Sequence, residues 1–245
     1  MQNDIKNIEM KDLKITIIIP LYNEEKTIIK LLTKIINLKR INFEIIVVND
    51  GSSDDSLNLV KKFSKKNKIV LISHKKNYGK GAAIRTAQKH VTGTHVIIQD
   101  ADLEYEPTDY ENLLKPFKKK NISVVYGSRV LKKKRYRLKS FSSFERIFYN
   151  HVLTIMSNII NDQRLTDAHT CYKVFKSDIF KSIKLEENGF AFCPEITTKI
   201  SNLNISIHEV PISYCGRDYS EGKKITYIDG IKAIYALFNY KFISY

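Results

Sequence analysis

The chain has 245 residues and carries 41 lysines and arginines against 26 acids, a formal charge of +15. Hydrophobic residues make up 43%, enough for a packed core and too many for a disordered chain. No uninterrupted apolar run approaches the roughly 20 residues of a membrane span, and 5 prolines are too few for a Pro-rich or collagen-like class.

The N-terminal segment MQNDIKNIEMKD has no apolar stretch, so no secretory leader is expected. Residues 15–20 (ITIIIP) form a near-continuous β-branched run, predicting a strand buried on both faces. Residues 23–36 then repeat apolar side chains at helical spacing. A second strand is expected at 44–49 (EIIVVN), followed by a helix at 53–66 for which Ser52, Ser53 and Asp54 are capping candidates. A third strand at 68–73, a helix at 79–90, a fourth strand at 95–99, a Pro-started helix at 107–119 and a fifth strand at 123–127 continue the alternation.

Strands alternating with helices imply βαβ units and a mostly parallel sheet. Ligands of such sheets bind beyond the carboxyl ends of the strands. The polar residues expected there are Tyr22, Asn23 and Glu24, then Asp50, then Asp100 and Asp102. Converging carboxylates are the anomaly in so basic a chain. Asp100 and Asp102 form a D-x-D, a pair able to hold Mg²⁺ or Mn²⁺ that also grips a diphosphate, with Glu104 a further candidate ligand. As a lone motif it equally describes solvated turn residues.

Past residue 130 the pattern changes. LKKKRYRLK (131–139) holds six basic residues and no acid. It reads either as a solvated loop or as a loop meeting anionic lipid headgroups. A long helix at 141–161 follows, whose Phe141, Phe144, Phe148 and Tyr149 read as core or as interfacial side chains. Strands near 172–175 and 205–212 and helices near 194–201 and from 227 complete the chain. No Gly-, Ser- or Pro-rich linker separates the halves 1–130 and 131–245, so residues 1–245 are expected to form one domain with a C-terminal elaboration. Cys171, Cys193 and Cys215 are odd in number and far apart, as buried free thiols of a reducing compartment would be. The histidines show no ligand spacing, and His169, two residues after Asp167, is the one to watch. Only eight of the 41 basic residues are arginine, whereas base readout in nucleic acids leans on arginine; no nucleic-acid partner is expected.

The motifs IIIPLYNEE (17–25), VVNDGSSDDS (47–56), NYGKGAAIRTA (77–87), VIIQDADLEYEP (96–107) and VYGSR (125–129) occur in this order. Together with TDAHTCYKVFK (166–176), RDYSEGKKI (217–225) and DGIKAIYAL (229–237), they closely resemble family 2 glycosyltransferases of the GT-A fold, nearest to the dolichyl-phosphate mannose and glucose synthase-like branch. The resemblance covers residues 15–240. It implies an α/β, Rossmann-like, mostly parallel sheet flanked by helices. It implies an inverting enzyme that moves a hexose from a nucleotide-diphosphate sugar to a polyprenyl phosphate, peripheral on the cytoplasmic face of a membrane. Position by position, it assigns Pro20, Tyr22, Glu24, Asp50 and Asp100 to the nucleotide-sugar, and Asp100 and Asp102 to the metal. Arg129, helped by Lys132, Lys133, Lys134 and Arg135, would face the acceptor phosphate, and Arg217 and Lys223 would close over the diphosphate. Asp167 would lie beside the reaction centre. Glu104 departs from relatives that carry Gln there. A lipid monophosphate, largely a dianion at neutral pH with a second pKa of ~6, needs no general base; a sugar-hydroxyl acceptor, the alternative, would make Asp167 an essential one. Oligomeric state is not specified.

Overall fold

The computed structural model describes residues 13–39, 41–131, 141–216 and 227–243, with side chains from 149 in the third stretch and from 228 in the fourth. Lys132, Lys133, Lys134, Arg135, Arg217 and Lys223, together with the side chains of Phe141, Phe144 and Phe148, lie outside the described residues.

Seven strands form one sheet: β1 (Lys14–Leu21), β2 (Asn42–Asn49), β3 (Ile69–Ser73), β4 (His95–Ile98), β5 (Val124–Ser128), β6 (Lys173–Lys176) and β7 (Ile207–Pro211). Their spatial order is β3-β2-β1-β4-β6-β5-β7. The pairs β1–β2, β1–β4, β2–β3 and β5–β7 are parallel, and β6 runs antiparallel to both β4 and β5. Only β6 is reversed, so the carboxyl ends of the other six strands lie on one edge of the sheet. The chain entering β6 lies on that edge too. Residues following β1, β2, β4, β5 and β7 and those preceding β6 therefore share one rim.

The central strand explains the stability of this frame. Ile15, Ile17, Ile18 and Ile19 of β1 are fully buried, as a β-branched run between helical layers should be. Each such side chain contributes about 1.5–3 kcal/mol by leaving water. Helices α1 (Ile28–Ile36), α2 (Ser56–Ser64), α3 (Lys80–Gln88), α4 (Tyr110–Leu114), α5 (Phe141–Asn161), α6 (Ser177–Ser182), α7 (Phe192–Asn202) and α8 (Tyr227–Phe238) flank the sheet. Residues 107–119, expected as one helix, break into two 3₁₀ turns around α4, and α8 runs on into a π-helix at Asn239–Ile243. Helix α6 was not expected; its single turn and a half is too short to show a helical period. Cys171 and Cys193 are buried free thiols, but Cys215 is exposed, against the expectation for all three.

Candidate active site

The rim begins with the segment after β1. Asn23 adopts φ 51, a left-handed turn that suits asparagine. Its side-chain oxygen accepts the backbone N–H of Ser53 at 2.8 Å, and the backbone N–H of Glu24 donates to Ser56 Oγ at 2.8 Å. The N-cap of α2 is Asp55, not one of the expected candidates, while Asp54 just before it accepts the N–H of Ser56 and that of Glu25. The loops after β1 and β2 are thus laced together, with Tyr22 half-buried and Glu24 buried.

Asp50 closes β2 and is only 2% exposed. Its Oδ2 accepts the N–H of Gly79 at 2.7 Å, and its Oδ1 accepts that of Tyr78 at 3.0 Å and lies 2.7 Å from His74 Nδ1. His74 Nε2 lies 2.9 Å from Thr86 Oγ1. Asp50 therefore fastens the NYGKG turn to the end of β2. That turn needs its glycines: Gly79 has φ 104, and a Cβ there would meet the Asn188 carbonyl oxygen at 2.3 Å. A Cβ at Gly81 would meet the Glu187 oxygen at 2.2 Å. The backbone of 187–188 is in turn set by Glu195, buried on α7, which accepts the N–H groups of Glu186 and Glu187.

The D-x-D follows β4. Lys80, the first residue of α3, places its ammonium 2.5 Å from Asp100 Oδ1. Burial would lower the lysine pKa, but the Asp100 carboxylate overrides it and holds Lys80 above the ordinary value. Asp102 Oδ1 accepts the N–H of Glu104 across Leu103, whose φ is 62. Glu104 turns toward the chain after β7: Tyr214 O–H donates to its Oε2 at 2.9 Å, and its carbonyl accepts the N–H of Cys215. Among the described residues no three His, Cys, Asp or Glu side chains are grouped to hold a metal. Asp100, Asp102 and Glu104 are therefore not assembled as a ligand trio, and Tyr214 accounts for the diversion of Glu104. Two carboxylates still fit a hard cation that takes its other ligands from phosphate and water. The ammonium on Asp100 shows that the position already accepts positive charge. Beneath it, Gln99 is fully buried and accepts O–H bonds from Tyr110 and Tyr172, both 2.7 Å.

Arg129 and Asp167 meet from β5 and from the loop entering β6. Arg129 Nε and Nη2 donate to Asp167 Oδ2 and Oδ1, each at 2.7 Å, and the Arg129 backbone N–H adds a third bond at 3.0 Å. Both residues are buried. Burial would raise the Asp167 pKa, but the guanidinium outweighs it and holds the carboxyl below its usual range. Three groups shape this pair. Glu209 of β7 accepts the N–H groups of Thr166 and Asp167 at 2.7 and 3.0 Å. Fully buried Lys173 donates to the carbonyls of Ala168 and Thr170. The Tyr214 ring lies 5.1 Å below the Arg129 guanidinium, so one tyrosine touches both Glu104 and Arg129. His169 Nε2 is buried with no hydrogen-bond partner among the described residues, and its pKa is depressed to about 4, mainly by burial and by Lys173.

The rim gathers Tyr22, Glu24, Asp50, Asp100, Asp102, Arg129 and Asp167, as their strand ends require. Lys80 and His74 are absent from the sequence-based set. His74 follows β3, and applying the strand-end rule to that strand would have found it. Lys80 sits beside an acidic crevice in a turn that reads as an ordinary helix start.

Residues 16–184 match the family described as Glycosyl transferase family 2. A dolichyl-phosphate beta-glucosyltransferase, ALG5A, of Trichomonas vaginalis is 31% identical over 226 residues, covering 85% of this chain and 68% of its own. An uncharacterized protein of Methanocaldococcus jannaschii is 31% identical over 80% of this chain and 86% of its own. Among solved structures, glucosyl-3-phosphoglycerate synthase from Mycobacterium tuberculosis, crystallised with Mn²⁺ and uridine-diphosphate-glucose, superposes with a TM-score of 0.73 at 16% identity, covering 96% of this chain and 81% of that one. That likeness is one of fold.

Proposed function

The chain belongs to glycosyl transferase family 2 and is a glycosyltransferase of the GT-A fold; from that premise we propose that it moves a hexose, with inversion, from a nucleotide-diphosphate sugar to a polyprenyl phosphate at the cytoplasmic face of a membrane. The Trichomonas relative is named for glucose transfer to dolichyl phosphate, which makes UDP-glucose the first donor to test.

The observation that carries this reading is the Arg129–Asp167 pair. A hydroxyl acceptor needs a base near pH 7 to take its proton. Both Asp167 oxygens are engaged by Arg129, and the guanidinium keeps the carboxyl ionised and weakly basic. A phosphate dianion needs no base; it needs cations. Arg129 Nη1, which takes no hydrogen bond among the described residues, is one donor for it, and Lys132, Lys133, Lys134 and Arg135 are proposed as others.

In the reaction an acceptor oxygen bonds to the anomeric carbon as the bond to the diphosphate breaks. Lys80, 2.5 Å from Asp100, is proposed to meet the charge that builds on the leaving group, and Arg217 and Lys223 to close over it. Asp100 and Asp102 would hold Mg²⁺ or Mn²⁺, which supplies neutralisation of the diphosphate when bound. Pro20, Tyr22, Glu24 and the loop fastened by Asp50 are proposed to hold the nucleotide. The test is a thermal-shift screen of nucleotide-sugars with Mn²⁺. A donor at 100-fold its Kd should add about 2.7 kcal/mol of stability. If no nucleotide-sugar shifts the transition, the donor assignment fails.

A further inference from the structure

Helix α5 and the C-terminal helix pack against each other, and both turn large apolar side chains outward. On α5, Tyr149, Ile155 and Ile159 are 65%, 46% and 76% exposed; on the C-terminal helix, Ile231, Tyr235 and Phe242 are 63%, 65% and 67% exposed. On each of α5 and α8 the helical spacing puts the apolar residues on one side. From Tyr149 to Asn161 the sequence has no Asp, Glu, Lys or Arg, in a chain that is 27% charged. Single exposed apolar residues are ordinary, but a paired stripe marks an interaction surface.

We infer that this face rests on an anionic lipid surface, with α5 and α8 lying in its plane. Charge selects the occupant. A second copy of the chain would bring another +15 toward the first, whereas an anionic bilayer is complementary to it. The six basic residues of 131–139 join the chain directly to the start of α5. No described helix is long and apolar enough to cross a membrane, so the contact is a surface one. The inner side of the C-terminal helix reaches the crevice in two steps. Tyr240 O–H donates to Glu187, and the carbonyls of Glu187 and Asn188 lie against the glycines that flank Lys80. The C-terminal helix is thus two contacts away from the turn that carries Lys80.

This deepens the membrane part of the proposed function and rests on it, but vesicle binding without any acceptor tests it separately. The chain has no tryptophan, so a single introduced one reports cleanly. Tyr235→Trp should blue-shift and be quenched by brominated lipid on phosphatidylglycerol-containing vesicles, but not on pure phosphatidylcholine. Val70→Trp, on edge strand β3 at the far end of the sheet, should not respond. The double variant Ile159→Asp, Ile231→Asp should sediment with anionic vesicles at least tenfold less well, with its donor-induced thermal shift unchanged. Equal responses at positions 70 and 235, or undiminished binding of the double variant, would overturn the inference. So would a wild-type dimer in light scattering that the double variant converts to monomer, because the face would then belong to a second copy. Loss of vesicle binding with transfer to a detergent-solubilised acceptor retained would support the surface. Absence of transfer with vesicle binding intact would count against the acceptor alone.

Discussion

Arg129 grips both carboxylate oxygens of Asp167 at 2.7 Å, and neither residue is in open contact with solvent. Breaking a buried pair by removing one charge costs about 3–5 kcal/mol. Asp167→Asn should therefore lower Tm by roughly 10 °C in a chain of this size. Its kinetics separate the two acceptors. Acting on a phosphate, the variant should raise the acceptor KM and lose less than about tenfold in kcat. A fall in kcat of at least 10²-fold with KM unchanged is what loss of a general base produces.

Lys80 Nζ lies 2.5 Å from Asp100 Oδ1, so a cation proposed to bind Asp100 would have to compete with it. Lys80→Met should tighten Mn²⁺ binding to the donor-free protein and weaken the nucleotide-sugar at least tenfold, both read by calorimetry. These opposite signs would not arise from general damage to the fold. Parallel weakening of both ligands would remove Lys80 from the diphosphate site.

The NYGKG turn is held by close backbone contact. Gly79→Ala adds a Cβ that would lie 2.3 Å from the Asn188 oxygen at a φ of 104. Overpacking of this kind costs about 1–3 kcal/mol, and left-handed backbone adds about 1–2 more. Gly189, with open space around its Cβ position, is the control, and Gly189→Ala should leave Tm within about 1 °C. Equal shifts for the two would mean that the contact does not matter.

His95, at the start of β4, has its pKa lowered to about 4 by burial and by Lys176. The unfolded imidazole titrates near 6.5. Because the folded value is the lower one, its contribution is complete above about pH 6.5 and is lost as pH falls toward 4. Between pH 7 and 5 the native state should lose about 1–2 kcal/mol from this group. His95→Gln should flatten the Tm–pH curve in that window. An unchanged slope would assign the acid sensitivity elsewhere.

The strands and most helices were legible because β-branched runs and helical periods are local signals, and the strand-end rule turns local order into a shared rim. The reversal of β6 was not legible: a short apolar strand such as KVFK carries no mark of its direction in a sheet, and only pairing with β4 and β5 fixes it. The acids of the site showed in the sequence, but their partners did not. Glu104 reads as a further candidate metal ligand, and nothing along the chain announces that Tyr214, 110 residues later, donates to it. Asp167 reads as a potential base, and its pairing with Arg129 does not show in the sequence. Long-range pairing sets the surroundings of both, and spacing along the chain carries no trace of it.

The account turns on the acceptor. The most direct measurement offers the enzyme, with UDP-glucose and Mn²⁺, the same lipid in two forms: polyprenyl phosphate and free polyprenol, beside a free sugar acceptor. The account predicts a glycosyl-phospholipid from the phosphate and no product from either hydroxyl. Transfer to a hydroxyl, with none to the phosphate, would contradict it.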